Sequence, residues 1–192
     1  MGGRSIRLGR DKALEPFGIG NLIERVLSRL SLFKSDIIVV SNAEQSYQPF
    51  AQFPRLRFAV DIYPGGGPLG GIYTGLAAST TLYNLVIACD MPFLNVNLLG
   101  YLVQLAPAFD LVVPRVADFV EPLHAVYSKN CMAPIERLLQ QNELQIYKLF
   151  PLVKVRYVEA AEIERFDPKH LSFFNINTEA DLKKAKALVN VA

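Results

Sequence analysis

Short apolar segments that suit buried strands alternate along this chain with segments that have helical periodicity. A strand that is apolar on both faces must be covered on both faces, as parallel strands joined by helices are. The alternation therefore predicts an α/β protein with a mostly parallel sheet and with helices on both faces of that sheet. The predicted strands are residues 36–41, 56–60, 84–89 and 110–114.

Five segments have the residue spacing of helices. In the first of them, Leu22, Val26 and Leu30 lie on one apolar face. The last opens with Thr-Glu-Ala-Asp at residues 178–181, which matches a capping box with Asp in place of Glu, so a helix should begin there. The predicted helices are residues 21–32, 70–79, 97–105, 131–141 and 178–189.

Composition and charge narrow the class of protein. At 192 residues the chain can bury one substantial core, so we expect a single domain over residues 1–192. Hydrophobic residues make up 51% and charged residues 20%, which fits a compact protein with a buried sheet. The formal net charge of +2 gives no basis for a nucleic-acid groove, so phosphate binding is expected to be local.

The cysteine spacing argues against a zinc site, and the lack of long apolar runs argues against a membrane-spanning protein. Cys89 and Cys131 form neither a CxxC pair nor a zinc-ligand spacing, so both are expected to be reduced thiols in the core. The amino terminus does not resemble a signal peptide, and no apolar run reaches the ~18 to 20 residues that cross a bilayer. We therefore expect a cytoplasmic protein with no membrane contact.

The amino-terminal residues combine glycines with positive charge. Gly2 and Gly3 allow the backbone to pack against phosphate oxygens, and Arg7, Lys12 and two further arginines supply cationic donors nearby. The segment matches neither GxxxxGKS/T nor GxGxxG, the two common nucleotide-binding patterns. We interpret it as a phosphate-binding loop, and the alternative is a solvated basic loop.

Two aspartates follow predicted strands, where open α/β sheets bind their ligands. Asp61 follows the strand at 56–60 and precedes a glycine-rich stretch at 65–71, which could also be only a sharp turn. Asp90 follows the strand at 84–89, and a carboxylate there suits Mg²⁺, which takes one or two carboxylates with phosphate oxygens and water. The alternative for Asp90 is an N-cap of the helix near residue 97.

Three further polar residues are candidate ligand contacts. His124 could line the acceptor site, or it could be a hydrogen-bonded histidine near a strand. Asn175 and Asn177 alternate about Ile176, so their amides face the same way in an extended segment. They either bind a heterocycle or phosphate, or cap the last helix.

These motifs, in this order, resemble the molybdenum cofactor guanylyltransferase family of the nucleotide-sugar-transferase-like Rossmann superfamily. The family's Gly-Gly-x-Ser-x-Arg-x-Gly-x-Asp-Lys loop is matched at residues 2–12, and its Asn after the second strand is matched by Asn42. Its Asp before a Gly-Pro-Leu-x-Gly turn is matched by Asp61, its Asp-Met-Pro-Phe segment by 90–93, and its Asn-x-Asn-Thr by 175–178. The match covers almost the whole chain.

The resemblance implies a three-layer Rossmann-like fold of the nucleotide-diphospho-sugar transferase type, in a single nucleotidyltransferase domain. The implied reaction is Mg²⁺-dependent transfer of GMP from GTP to the terminal phosphate of molybdenum-molybdopterin, with release of pyrophosphate. Asp11, Lys12 and Met91 favour guanine, because the related cytidylyltransferases differ there. The implied protein partners are transient ones, namely proteins that deliver molybdopterin or the apo-molybdoenzymes that receive the cofactor.

The resemblance also implies roles for the matching residues. Gly2, Gly3 and Lys12 would contact the nucleotide phosphates and base, with Asn42 and Asp61 on the guanosine and Asp90 on both nucleotide and metal. Asn175 and Asn177 would lie on the pterin side, and Arg7 with Lys12 would offset charge on the leaving pyrophosphate.

One family feature is expected before the Gly-Gly pair but is not found in this sequence. Family members have an apolar strand ending in Leu-Ala there, in the middle of the sheet, whereas this sequence has only Met1. We expect that the start of the chain is misassigned, because loss of a buried central strand would cost several kcal/mol of a total near ~5 to 15. The alternative is a fold that lacks this first strand.

Two other functions stay open at this stage. One is a related nucleotidyltransferase that uses another nucleoside triphosphate or another phosphorylated acceptor, of the cytidylyl or sugar-phosphate type. The other is a non-catalytic nucleotide-binding module.

Overall fold

A computed structural model describes residues 15–18, 20–42, 50 and 52–189. The predictions for Gly2, Gly3, Arg7 and Lys12 therefore lie outside the described residues. The strands are β1 (Pro16–Phe17), β2 (Gly20–Asn21), β3 (Ile37–Ser41), β4 (Leu56–Val60), β5 (Tyr83–Ile87), β6 (Leu111–Val116), β7 (Phe119–Val120), β8 (His124–Ser128) and β9 (Val155–Glu159). The helices are α1 (Leu22–Leu30), α2 (Gly67–Ala78), α3 (Val96–Leu105), α4 (Met132–Gln140), α5 (Ala160–Ile163) and α6 (Glu179–Val189).

The larger strands form one parallel pair and one five-stranded mixed sheet. β3 and β4 are parallel, with Ile37 opposite Leu56 and Ser41 opposite Val60. In the second sheet, β8 lies between β5 and β6 and is antiparallel to both, while β9 pairs with β6 in parallel. The short β7 pairs with β6 as an antiparallel hairpin.

The α/β class is confirmed, and the sheet has an antiparallel strand in its interior. Parallel neighbours need a crossover of about a dozen residues or more, usually a helix. A short turn reverses the chain between β6 and β7, and a second short segment then carries it in the same direction into β8, on the other side of β6. No helix lies between β6 and β8, so the chain has no crossover that would make β8 parallel to β6.

Helices cover both faces of the five-stranded sheet, which makes three layers. Successive residues of a strand point to opposite faces, so Leu111 and Val113 pack on one side and Val112 on the other. The first side contacts α2 and α4, and the second contacts α1, α3 and α5. The prediction of helices on both faces is confirmed.

Capping residues define where the first and last helices begin. The Asn21 side chain accepts a hydrogen bond from Glu24 N, and the Glu24 carboxylate accepts one from Asn21 N. At α6, Thr178 Oγ1 accepts from Asp181 N and the Asp181 carboxylate accepts from Thr178 N. Both are capping boxes, and the second confirms the sequence prediction at residue 178.

The glycine-rich stretch places α2 differently from the prediction. The helix begins at Gly67 rather than at residue 70, because Pro68 in its first turn has a φ angle already suited to a helix. Gly65 and Gly67 have φ angles of 87° and 60°, which favour glycine and turn the chain sharply into the helix.

The remaining predictions on the fold concern the thiols and the membrane. Cys131 is a buried thiol, as expected, and Cys89 is partly exposed and packs against the edge of the core. Within the described ranges, no helix combines the length and the apolar character needed to cross a bilayer.

Candidate functional site

The carboxyl ends of β3 and β4 bring Asn42 next to Asp61. The two strands are parallel and in register up to Ser41 opposite Val60, so the next residue on each strand is one of this pair. Asp61 N donates to Ser41 O at 2.8 Å, which holds the two strand ends together. Asn42 is exposed and Asp61 is buried. The predicted guanosine contacts are therefore neighbours.

Asp61 uses one carboxylate oxygen to fix the turn before α2. Its Oδ1 accepts hydrogen bonds from Thr74 Oγ1 at 2.8 Å and from Tyr63 N at 3.1 Å. A Cβ at Gly70 would lie 3.0 Å from Tyr63 O, so only glycine lets the helix pack this close to the turn. The turn and the ligand interpretations of this segment are compatible, because Oδ1 serves the turn and Oδ2 is a second acceptor.

Asp90 lies in a short loop between β5 and α3. The structure excludes the alternative role as the cap of α3, because Asn95 Oδ1 accepts from Asn97 N and Leu98 N. Met91 and Leu94, both at most 3% exposed, anchor the loop in the core. The Asp90 side chain is itself partly buried at the carboxyl edge of the sheet.

The segment with Asn175 and Asn177 is attached directly to this loop. Ile176 N donates to the carbonyl oxygen of Asp90 at 3.0 Å, and the Ile176 side chain is buried. Thr178 is the N-cap of α6, so the helix needs neither asparagine side chain as its cap. The structure therefore brings the proposed metal carboxylate and the two proposed pterin contacts together.

Glu121 is a carboxylate near Asp90 that the sequence analysis did not identify. Ile87 pairs with His124, and Ala88 N donates to Leu123 O at 2.9 Å, so the segments that carry the two carboxylates run side by side. Burial raises the pKa of Glu121, and the negative charge of Asp90 raises that pKa further. A prediction of the β6–β7 hairpin, which Glu121 directly follows, could have identified this residue.

His124 fits neither of its two sequence interpretations. It is 0% exposed, so it does not line an open acceptor site, and neither ring nitrogen has a hydrogen-bond partner among the described residues. Its ring packs edge-on against Phe173, with centroids 5.0 Å apart. Burial lowers the pKa of His124 to about 4, against a smaller opposite effect of the Asp167 carboxylate. The residue is a neutral part of the core beneath the site.

Arg25 on α1 is a second residue that the sequence analysis did not identify. Its Nε donates to the carbonyl oxygen of Pro92 at 2.9 Å, in the loop that contains Asp90. Its position in an amphipathic helix gives no sequence signal for this contact, since the partner is far away along the chain.

The fold and the position of these side chains define a class of protein. Solved structures with this fold include molybdopterin-guanine dinucleotide biosynthesis protein A from Archaeoglobus fulgidus, with a TM-score of 0.85, 28% identity and 100% coverage of both chains. They also include 2-C-methyl-D-erythritol 4-phosphate cytidylyltransferase from Thermus thermophilus, with a TM-score of 0.67, 18% identity and coverage of 93% and 94%. The chain has the Rossmann-like fold of nucleotidyltransferases.

Sequence comparison specifies the family within this class. The family model of the MobA-like NTP transferase domain matches residues 1–154. A probable molybdenum cofactor guanylyltransferase of Pelotomaculum thermopropionicum is 36% identical over 187 residues, which are 97% of this chain and 89% of that protein. A protein of the same name from Methanosarcina mazei is 36% identical over 191 residues, with coverage of 95% and 85%. The chain belongs to the MobA-like NTP transferase family.

Proposed function

We propose that this protein transfers GMP from GTP to the terminal phosphate of molybdenum-molybdopterin, releasing pyrophosphate and forming molybdopterin guanine dinucleotide. The observation that carries the proposal is the hydrogen bond from Ile176 N to Asp90 O, at 3.0 Å. It joins the carboxylate expected at the triphosphate to the asparagines expected at the pterin. The names of the relatives, which are guanylyltransferases, support the choice of nucleotide.

The reaction needs positioning and charge compensation more than acid–base chemistry. The nucleophile is a phosphate monoester, which is already anionic near neutral pH and needs no general base. It attacks the α-phosphorus of GTP, a new P–O bond forms, and the bond to the leaving pyrophosphate breaks. The protein must therefore hold two phosphorylated molecules in line and offset the negative charge between them.

Asp90 and Glu121 are the residues that would hold Mg²⁺. Within the described ranges no group of three or more His, Cys, Asp and Glu side chains is arranged for a metal ion. Mg²⁺ needs no such group, because it takes one or two carboxylates and completes its octahedron with phosphate oxygens and water. The charge of Asp90 raises the pKa of Glu121, so the two carboxylates are near enough to each other to fit one divalent cation. When bound, Mg²⁺ would neutralise charge on the phosphate oxygens.

The amino-terminal loop completes the proposed nucleotide site. We assign Gly2 and Gly3 to backbone contacts with the phosphates, and Lys12 and Arg7 to the β- and γ-phosphates that leave as pyrophosphate. These residues lie outside the described ones, so their assignment depends on the matching motif at residues 2–12.

Asp61 is proposed to recognise guanine through Oδ2, because guanine presents N–H donors where a carboxylate oxygen accepts. Asp61→Asn keeps Oδ1 for Thr74 and Tyr63 but replaces Oδ2 with an amide donor. We expect KM for GTP to rise about tenfold to a hundredfold with kcat little changed, since a hydrogen bond to a charged group contributes ~1.5 to 3 kcal/mol. Steady-state kinetics check this, with Asp118→Asn on the exposed β6–β7 hairpin as the matched control. An unchanged KM would exclude Asp61 from guanine recognition.

The proposed function is tested by measuring pyrophosphate release with molybdenum-molybdopterin, Mg²⁺ and each of GTP, CTP, UTP and ATP. We expect GTP to give kcat/KM at least about tenfold above the others, because a site built for polar base edges discriminates strongly. A preference for CTP would assign the chain to the cytidylyl type. GTP binding without pyrophosphate release would favour the non-catalytic module.

A further inference from the structure

Arg25 lies where three segments of the proposed site meet. Its Nε donates to the carbonyl oxygen of Pro92 at 2.9 Å. Its guanidinium carbon lies 5.4 Å from the centroid of the Phe17 ring and 5.7 Å from that of Phe93. Phe93 packs edge-on against Phe17 at 6.1 Å and against Phe174 at 5.8 Å. Arg25 and the three phenylalanine rings therefore form one continuous cluster.

Each phenylalanine of this cluster belongs to, or adjoins, a segment with a proposed role. Phe17 follows the amino-terminal loop that contains Lys12, and Phe93 shares the loop of Asp90. Phe174 directly precedes Asn175. The cluster thus connects the segments assigned to the leaving pyrophosphate, the metal and the pterin.

We propose that Arg25 is a positioning residue for nucleotidyl transfer, one that fixes the Asp90 loop relative to the other two segments. The role rests on the proposed function. The Asp90 loop is attached to the Asn175–Asn177 side by the bond from Ile176 N to Asp90 O. The bond from Arg25 to Pro92 O attaches the same loop to α1 and so prevents it from turning about the first attachment.

The chemistry of arginine suits this role. A planar guanidinium can donate from Nε in its own plane while its faces lie over aromatic rings, which the compact ammonium of lysine cannot do. Arg25 is partly buried, and both charge-assisted hydrogen bonds and cation–π contacts are stronger where water is partly excluded. The Pro92 carbonyl oxygen is therefore held by a directional hydrogen bond, and the two aromatic rings fix the orientation of its donor, Arg25.

The test compares Arg25→Met, Arg25→Lys and the control Arg29→Met. Methionine keeps an aliphatic stem but removes both the donor and the charge. Arg29 lies one turn further along α1, is exposed and loses the same charge on substitution. Cooperative thermal unfolding is verified for each variant, and all assays are run well below the lowest Tm.

Two readouts separate positioning from a general loss of structure. The first is kcat and KM for GTP in the transfer reaction. The second is the Kd of Mn²⁺, measured by electron paramagnetic resonance with a GTP analogue whose α,β-bridging oxygen is a methylene group. We expect Arg25→Met to lower kcat about tenfold to a hundredfold and to weaken Mn²⁺ binding about tenfold, because small displacements of a reactive geometry are costly. Arg25→Lys should recover only part of kcat, and KM for GTP should change less than kcat.

The outcomes distinguish this role from the proposed function. If Arg25→Met folds and matches Arg29→Met in both kcat and Mn²⁺ affinity, Arg25 is not a positioning residue. If the wild type transfers no GMP but binds Mn²⁺ in a way that requires both Asp90 and Arg25, the proposed function is wrong, while the fixing of the metal-binding Asp90 loop by Arg25 stands. If Asp90→Asn leaves both Mn²⁺ binding and turnover unchanged, the positioning role is overturned, whereas GMP transfer by the wild type still decides the proposed function.

Discussion

Replacement of Asp90 by asparagine is expected to lower kcat about a hundredfold or more while the protein stays folded. A metal ion at a transferring phosphate contributes several kcal/mol to the stabilisation of the transition state, and ~1.4 kcal/mol is tenfold in rate. An amide is a weaker ligand than a carboxylate for a hard cation such as Mg²⁺. The fold should persist because the attachment of the loop uses the main-chain carbonyl of residue 90, which asparagine retains.

The change at Asp90 is assessed against the same substitution at Asp118. That residue lies on the exposed β6–β7 hairpin, so Asp118→Asn alters net charge equally but should leave turnover as in the wild type. Rates are measured as pyrophosphate release over a range of Mg²⁺ concentrations, and the unfolding transition of each variant is recorded. Wild-type turnover by Asp90→Asn at saturating Mg²⁺ would refute the role of this carboxylate in catalysis.

Acidification is expected to destabilise the protein through His124, by about 3 kcal/mol between pH 7 and pH 4. Burial lowers the pKa of His124 from 6.5 to about 4, so the folded protein resists protonation that the unfolded chain accepts. A shift of one pKa unit corresponds to ~1.4 kcal/mol, which gives this magnitude. Since the folded-state pKa is the lower one, stability is complete above about pH 6.5 and is lost as pH falls towards 4.

Comparison of the wild type with His124→Leu separates the effect of His124 from that of the carboxylates, because the carboxylates titrate in both proteins. The buried imidazole makes no hydrogen bond to the residues that the structure describes, so an apolar side chain of similar size should cost little at pH 7. The free energy of unfolding is measured with urea from pH 4 to pH 7 for both proteins. Their difference should change by about 3 kcal/mol across this range, in favour of the variant at low pH. Parallel curves would mean that His124 is not buried as a neutral group.

Much of the secondary structure could be predicted because its causes are local. The strand prediction at 56–60 coincides with β4, and the capping box at 178–181 marks the beginning of α6. β8 was not predicted as a strand, because its apolar run is only three residues long, between His124 and Ser128, although the whole strand is buried. The antiparallel direction of β8 follows from the single turn that reverses the chain after β6, which apolar patterning does not reveal.

Part of the candidate site could be predicted, namely the residues whose place in the site depends only on where a strand ends. Asp61 and Asp90 each follow a strand that the apolar pattern identifies, and the structure places both at the carboxyl ends of strands. The alternative cap role of Asp90 could not be decided from sequence, because Asn95 and Asp90 are both competent caps and only the observed hydrogen bonds assign α3 to Asn95. Glu121 and Arg25 escaped prediction because their importance depends on partners distant in sequence.

By its motifs the sequence resembles a family of nucleotidyltransferases, and by itself it determined the α/β class and the carboxylates at the ends of two strands. Those properties depend on residue order within a few positions, which sets side-chain direction and strand ends. Only the tertiary structure decided which segments meet. Arg25 and Pro92 are 67 residues apart and are joined by one hydrogen bond, and Ile176 holds Asp90 across the site. Such contacts arise from the packing of helices and loops against the sheet, so no local pattern encodes them.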